Sequence, residues 1–161
     1  MKLNFLPGFF ILAILFLADT IFANQHSVEN ILVDVVLTST EEKDKNGTVS
    51  ALLIIKNTGS TEVKVRHPSN RMAVAFIVMN SLGNVVSPIG IAKVDPPFRE
   101  ITIKPNSEFK QTFPNLEFVT GSALFGYELK SKEIYRVVAI YRPNGEKSSG
   151  ITTEEQIITV K

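Results

Sequence analysis

The strongest constraint on the fold is the pattern of apolar residues, which come in short runs and sustain no helical period after residue 23. The clearest runs are rich in Val and Ile and lie at 31–38, 49–56 and 134–141. Between Glu62 and Arg66, valines alternate with charged residues, as they do on a strand with one buried face. The pattern therefore predicts an all-β chain.

The remaining runs extend this interpretation to a complete sandwich. Further strands are predicted at 73–79, 85–86, 101–104, 109–113 and 151–160, with turns rich in Gly, Pro and Asn between them. The run at 73–79 is apolar at every position, which predicts a central strand covered on both faces. Seven to nine short strands at this spacing are typical of an antiparallel β-sandwich.

The first segment predicts export. Lys2 is followed by an uncharged apolar run from Phe5 to Ala18, which is 14 residues long. That length is typical of a signal peptide and shorter than a membrane-spanning helix requires. We expect a signal peptide at 1–23 with cleavage after Ala23, and one sandwich domain at 24–161. An uncleaved anchor is the alternative. The expected location is the periplasm or the medium of a bacterium, because an exported animal domain of this size usually contains disulfides.

Composition excludes several classes of function. The 161 residues include 17 Lys and Arg, 16 Asp and Glu, two His and no Cys, with a net charge of +1. This charge gives no electrostatic reason to expect nucleic acid or an anionic membrane as a partner. The lack of Cys excludes disulfides and thiolate chemistry. No nucleophile elbow or calcium-loop spacing is present. We expect neither catalytic residues nor a cofactor or metal.

Two short motifs resemble known sandwiches. Leu129 precedes Tyr135 by six residues and Val137 follows it by two. This spacing resembles the start of strand F in fibronectin type III and related immunoglobulin-like domains. The resemblance implies an immunoglobulin-like sandwich with a tyrosine corner, in which the Tyr135 hydroxyl bonds to upstream backbone. The turn at 57–60 resembles that of bacterial secreted immunoglobulin-like modules. The disulfide and core Trp of antibody-type domains are absent, so the resemblance implies a fold and no active residues.

The chain also contains a candidate anion site. Arg66, His67 and Arg71 lie close together in the sequence, with Ser69 and Asn70 between them. Arginine and histidine side chains bind phosphate, sulfate or carboxylate groups through charge-assisted hydrogen bonds. No Gly-rich turn accompanies them, so an exposed loop with outward charges is the alternative.

Two long connections, at 87–99 and 114–132, are candidate partner-binding loops. Prolines stiffen the first, which lowers the entropy lost when its apolar residues meet a partner. The candidate contact residues are Ile89, Ile91, Pro96, Pro97 and Phe98. Capping of the open ends of the sandwich is the alternative role for both loops. The second connection has room for a short helix near 123–129, a question that the sequence leaves open.

By elimination, the sequence predicts an exported non-catalytic module that binds a protein partner through loops or a sheet edge. Two alternatives stay open. The layout of the chain also resembles the bacterial BsuPI-type proteinase-inhibitor domain, which implies a protease inhibitor. A carbohydrate-binding module is the other alternative, although the chain has three Tyr and no Trp to provide stacking surfaces.

Overall fold

The computed structural model describes residues 30–42, 45–70, 73–90, 99–116, 118–120, 123–145 and 149–161. The predicted signal peptide at 1–23 lies outside these residues. Within the described residues, no helix is long and apolar enough to cross a membrane. The strands are β1 (Ile31–Glu42), β2 (Lys45–Asn57), β3 (Val63–Arg66), β4 (Val74–Asn80), β5 (Glu100–Ile103), β6 (Glu108–Phe113), β7 (Phe118–Thr120), β8 (Ala123–Phe125), β9 (Ile134–Tyr141), β10 (Ile151–Thr152) and β11 (Gln156–Thr159), with a 3-10 turn at Pro114–Leu116.

Two antiparallel sheets form the sandwich. The first has the strand order β1-β2-β6. In the second, β9 is central, with β4 on one side and both β10 and β11 on the other. We call it the β9 sheet. These pairings confirm the prediction of an all-β antiparallel sandwich, and eight of the described strands have four or more residues.

The core lies between the two sheets and follows the alternation of each strand. The odd residues of β1 and β2 point inward, as do the even residues of β4 and the odd residues of β9. Phe76 of β4 meets Phe113 of β6 edge to face, with ring centroids 5.4 Å apart. Edge-to-face contacts are a favourable arrangement of aromatic rings, so this pair joins the two sheets directly.

The two-stranded β3–β5 sheet is hydrogen-bonded to both main sheets. On the β5 side, the buried Asn57 at the end of β2 donates from Nδ2 to the carbonyl of Ile103 over 3.0 Å. On the β3 side, the hydroxyl of the buried Tyr141 donates to the carbonyl of Arg66 over 2.5 Å. Each bond satisfies polar groups that would be expensive to bury alone. The β3–β5 sheet therefore connects the end of β2 to the end of β9.

Tyr135 makes the contact that the fibronectin-like spacing implies. Its hydroxyl accepts a hydrogen bond from the N–H of Lys130, five residues upstream, and donates to Glu133. Tyr135 itself is buried in the core. The local geometry agrees with a tyrosine corner, while membership of a particular sandwich family stays a prediction.

Three details of the sequence interpretation differ from the structure. β4, predicted to be central, is an edge strand whose odd residues face outward. The predicted strand at 151–160 is divided into β10 and β11, because the N–H and hydroxyl of the buried Thr153 both bond to Ala139. The segment 123–125, where a short helix was an alternative, forms β8 and pairs with β7.

Candidate binding surface

The outer face of the β9 sheet carries a row of three apolar side chains and one arginine, which we call the apolar row. The strand register places Val85 beside Met79, Met79 beside Arg136, and Arg136 beside Ile157. These four side chains cross the whole sheet from the β4 hairpin to β11. Ile77 lies on the same face of β4 as Met79, two residues away along the strand. The row and its neighbours form the surface that we call the outer face.

The outer face is both apolar and accessible. Val85 and Ile157 are each 68% exposed, and Ile77 is 36% exposed. Among the outward side chains of β4, β9, β10 and β11, Arg136 is the one charged residue. Apolar surfaces of this kind, poor in charge and containing an arginine, have the composition of the centres of protein interfaces.

The free side of β4 is already occupied. The backbone groups of a strand point alternately to its two sides, and three of those that face away from β9 are bonded locally. Val78 accepts from the N–H of Val86 at 2.8 Å, and Asn80 donates to Asn84 at 2.9 Å. The hydroxyl of Tyr127 donates to the carbonyl of Phe76. These bonds occupy part of the edge of β4, which leaves its outer face as the more accessible surface.

The two predicted binding loops meet at one point. The N–H of Ile89 donates to the carbonyl of Gly126 over 2.8 Å, and the N–H of Gly126 donates back over 3.1 Å. The side chain of Ile89 is exposed. The other candidate contact residues, Ile91, Pro96, Pro97 and Phe98, lie outside the described residues. The role of these loops in binding stays a prediction.

Arg66 and His67 of the candidate anion site point in different directions, as neighbours at the end of a strand do. The Arg66 guanidinium lies against the backbone of Gly145, where an added Cβ would come within 2.5 Å of it. His67 packs edge-on against Phe109, with ring centroids 5.2 Å apart. Arg71 lies outside the described residues. Anion binding by these three residues stays a prediction, and the described pair do not converge on one point.

The loop after β3 fixes the tautomer of His67. The N–H of Ser69 donates to Nδ1 of His67 over 3.1 Å, so Nδ1 is unprotonated and the ring proton is on Nε2. The Ser69 hydroxyl lies 2.8 Å from the same nitrogen and therefore also donates to it. Partial burial, and after it the positive charge of Arg99, lowers the pKa of His67 below its usual value.

Protonation of His67 is expected to destabilise this loop. Because the pKa of His67 is lower in the folded chain than in the unfolded chain, its contribution to stability is complete above about pH 6.5 and decreases as the pH falls below that value. His67→Asn keeps an acceptor for the Ser69 N–H but does not titrate. We expect the stability difference between wild type and H67N, measured by urea unfolding, to shrink on acidification. A difference independent of pH between about 7.5 and 5.5 contradicts this assignment.

The outer face of the β1-β2-β6 sheet has a different character. Here a cleft of about 440 Å³ lies beside β1. Its lining combines apolar groups with three carboxylates and one ammonium group: Leu32, Val33, Asp34, Ile54, Lys56, Glu108 and Glu154. Lys110 nearby is paired with Glu108 at 2.7 Å. This mixed and charged face provides a natural control for the apolar face on the opposite side of the sandwich.

No cluster that suits a metal ion occurs among the side chains that the structure describes. Groups of three or more His, Asp and Glu residues do not converge there. The residues that the sequence interpretation missed are Ile77, Val85 and Ile157. The signal for Ile77 was present in the run at 73–79, which is apolar on both faces, but it was attributed to a central strand. Val85 and Ile157 lie in other predicted strands, and their outward position follows only from the pairing of the strands.

Comparisons with known proteins leave the function open. No family model and no curated protein matches the chain. Among solved structures, beta-glucuronidase 2 of Bacteroides uniformis is 10% identical with a TM-score of 0.47, and covers 79% of this chain. The chain spans only 13% of that enzyme. The Northeast Structural Genomics Consortium target SoR45 is 14% identical with a TM-score of 0.48, covering 82% of this chain and 88% of its own. At these TM-scores the similarity carries no conclusion about function.

Proposed function

We propose that the chain is an exported, non-catalytic β-sandwich module that binds a protein partner through the outer face of the β9 sheet. The observation that carries the proposal is the apolar row that ends at Val85 and Ile157, each 68% exposed. Burial of such side chains against a partner stabilises a complex by roughly 25 cal/mol per Å² of apolar area before the entropy of association is subtracted.

The exposed apolar groups favour a protein over a glycan as the partner. Glycan-binding sites depend on exposed aromatic rings, and the chain has no Trp and three Tyr. Tyr135 and Tyr141 are buried, and all three tyrosine hydroxyls bond to the backbone. The tyrosines therefore give the carbohydrate-binding alternative no support.

The test is site-specific photocrosslinking in the organism that makes the protein. A photoreactive amino acid replaces Val85 in one variant and Leu32 in another, where Leu32 is 61% exposed on the opposite face of the sandwich. We expect a protein adduct of defined mass from position 85 and not from position 32. Adducts of equal yield at both positions, or none at position 85, contradict the proposal.

Mass spectrometry of the adduct then identifies the partner. If the partner is a protease, the inhibitor alternative that the BsuPI-type layout suggests takes precedence, and inhibition is measured directly. Val85→Asp introduces a charge into the apolar row and is expected to weaken binding of the identified partner by at least about tenfold. Urea unfolding of V85D should match wild type, since this residue is exposed.

A further inference from the structure

Arg136 lies at the centre of the outer face, and its neighbours on the sheet are apolar. In the strand register, Met79 flanks it on β4 and Ile157 flanks it on β11. Ile134 and Val138 precede and follow it on the same face of β9. Arg136 itself is half-buried. The strands of this sheet therefore present one positive charge surrounded by apolar side chains.

The acidic residues that the structure describes leave the guanidinium of Arg136 available. The nearest acidic residue before β11 is Glu155, two positions ahead of Ile157. Neither Glu155 nor any other described carboxylate forms an ion pair with Arg136. A guanidinium group has five N–H donors, and two of them can bind both oxygens of one carboxylate. These donors are therefore open to an acceptor from outside the chain.

A partner that covers the outer face must supply a negative charge to Arg136. An arginine that is buried against apolar groups loses its hydration, and this loss is offset only when an acceptor takes the place of water. A paired arginine in the middle of an interface is among the residues that contribute most to affinity. Phosphate groups carry nearly two charges and are usually bound by clusters of arginine. One arginine among apolar residues instead matches the single charge of an Asp or Glu side chain.

We propose that the protein partner places an Asp or Glu carboxylate, surrounded by apolar side chains, against Arg136, and that the two groups form a bidentate ion pair at the centre of the interface. This inference rests on the proposed function, because it uses the same outer face. A second copy of this chain is disfavoured as the partner, since a two-fold axis through the middle of the apolar row brings two Arg136 guanidinium groups together. The pair also fixes the orientation in which the partner docks.

The test keeps the photoreactive amino acid at position 85 and varies position 136. Arg136→Met removes the charge and keeps a long apolar side chain. If the ion pair forms, the adduct yield falls about tenfold in R136M. If the face recognises its partner by apolar contact alone, the yield stays the same or rises, which overturns the proposal. Arg136→Lys keeps the charge without the planar fork, so its yield should lie between those of wild type and R136M.

Two matched variants separate the ion pair from general effects of charge. Lys56→Met removes one positive charge from the opposite face of the sandwich and should leave the adduct yield unchanged. Glu155→Gln should leave the yield unchanged or raise it. A fall in E155Q equal to that in R136M assigns Glu155 as the partner of Arg136 and overturns the proposal. Urea unfolding of each variant establishes that the chain still folds.

The crosslinked segment of the partner provides the reciprocal test. We expect an Asp or Glu close to the site that reacts with position 85. Its replacement by Arg should weaken binding to the wild-type chain about tenfold and restore binding to Arg136→Glu, measured by calorimetry with both purified proteins. An adduct in wild type without recovery in this charge exchange overturns the carboxylate and leaves the proposed function intact. The absence of any adduct from position 85 overturns both.

Discussion

Replacement of Asn57 by Asp is expected to lower the free energy of unfolding by about 4 kcal/mol. The amide of Asn57 has no exposed surface, and its Nδ2 donates to the carbonyls of Thr61 and Ile103 at 2.8 and 3.0 Å. In Asp an acceptor oxygen takes the place of this donor and faces both carbonyls. The carboxylate is also fully buried, where its charge is poorly solvated. Equilibrium unfolding in urea measures the loss.

The matched control is Asn80→Asp. Asn80 uses only its Oδ1, which accepts from the N–H groups of Leu82 and Asn84. Asp keeps such an oxygen, so N80D should change the stability by less than about 1 kcal/mol. If N57D and N80D have equal effects, the bonds from Nδ2 do not connect β2 to the β3–β5 sheet as the geometry indicates.

The second large effect concerns Tyr141, which is fully buried at the end of β9. Tyr141→Ala removes a large core side chain and is expected to cost about 4 kcal/mol. Tyr141→Phe keeps the ring and removes only the donor to the carbonyl of Arg66, so we expect a loss of about 1–2 kcal/mol. The difference between the two variants separates packing from hydrogen bonding, and both are measured by urea unfolding.

The burial of the Tyr141 hydroxyl also leads to a prediction for alkaline pH. Burial raises the pKa of Tyr141 above that of an unfolded tyrosine, because the charged phenolate is poorly solvated in the core. The stabilisation is complete below about pH 10 and is lost as the pH rises above that value, where the unfolded chain ionises first. The stability of Y141F should therefore fall less steeply between about pH 9 and 11 than that of wild type. Parallel curves for the two chains contradict this cause.

Local patterns predicted the strands well because each signal is contained in a few neighbouring residues. The alternation at Val63 and Val65 and the turn that begins at Asn57 both appear in the structure. The long-range role of Asn57 was not predictable, since its partner Ile103 lies 46 residues away. Sequence spacing does not say which distant carbonyl a buried amide will meet.

The sequence did not identify the candidate binding surface, because the apolar pattern of β4 has two interpretations. A strand that is apolar on both faces is either central in a core or exposed to a partner, and its composition is the same in both cases. Two structural observations decide between these two cases. Among the named strands β4 pairs only with β9, and the side chain of Ile77 faces outward. The division at Thr153 was missed because Thr is a common strand residue. Thr153 interrupts the strand through its bonds to Ala139, and the sequence does not show these bonds.

The covered edges of the sandwich have a consequence for polymerisation. Fibrils grow when a chain offers two complementary edges, so that each added subunit leaves a new edge for the next one. Here Asp34 accepts from the N–H of Val35 on β1, and β4 is closed by its own hairpin. Beyond the end of β11, the N–H of Lys161 donates to the Ser39 hydroxyl of β1 over 2.8 Å, so this edge too is partly occupied within the chain. Each of these contacts occupies a backbone group that a growing fibril would need, so we expect the folded chain to resist edge-to-edge polymerisation.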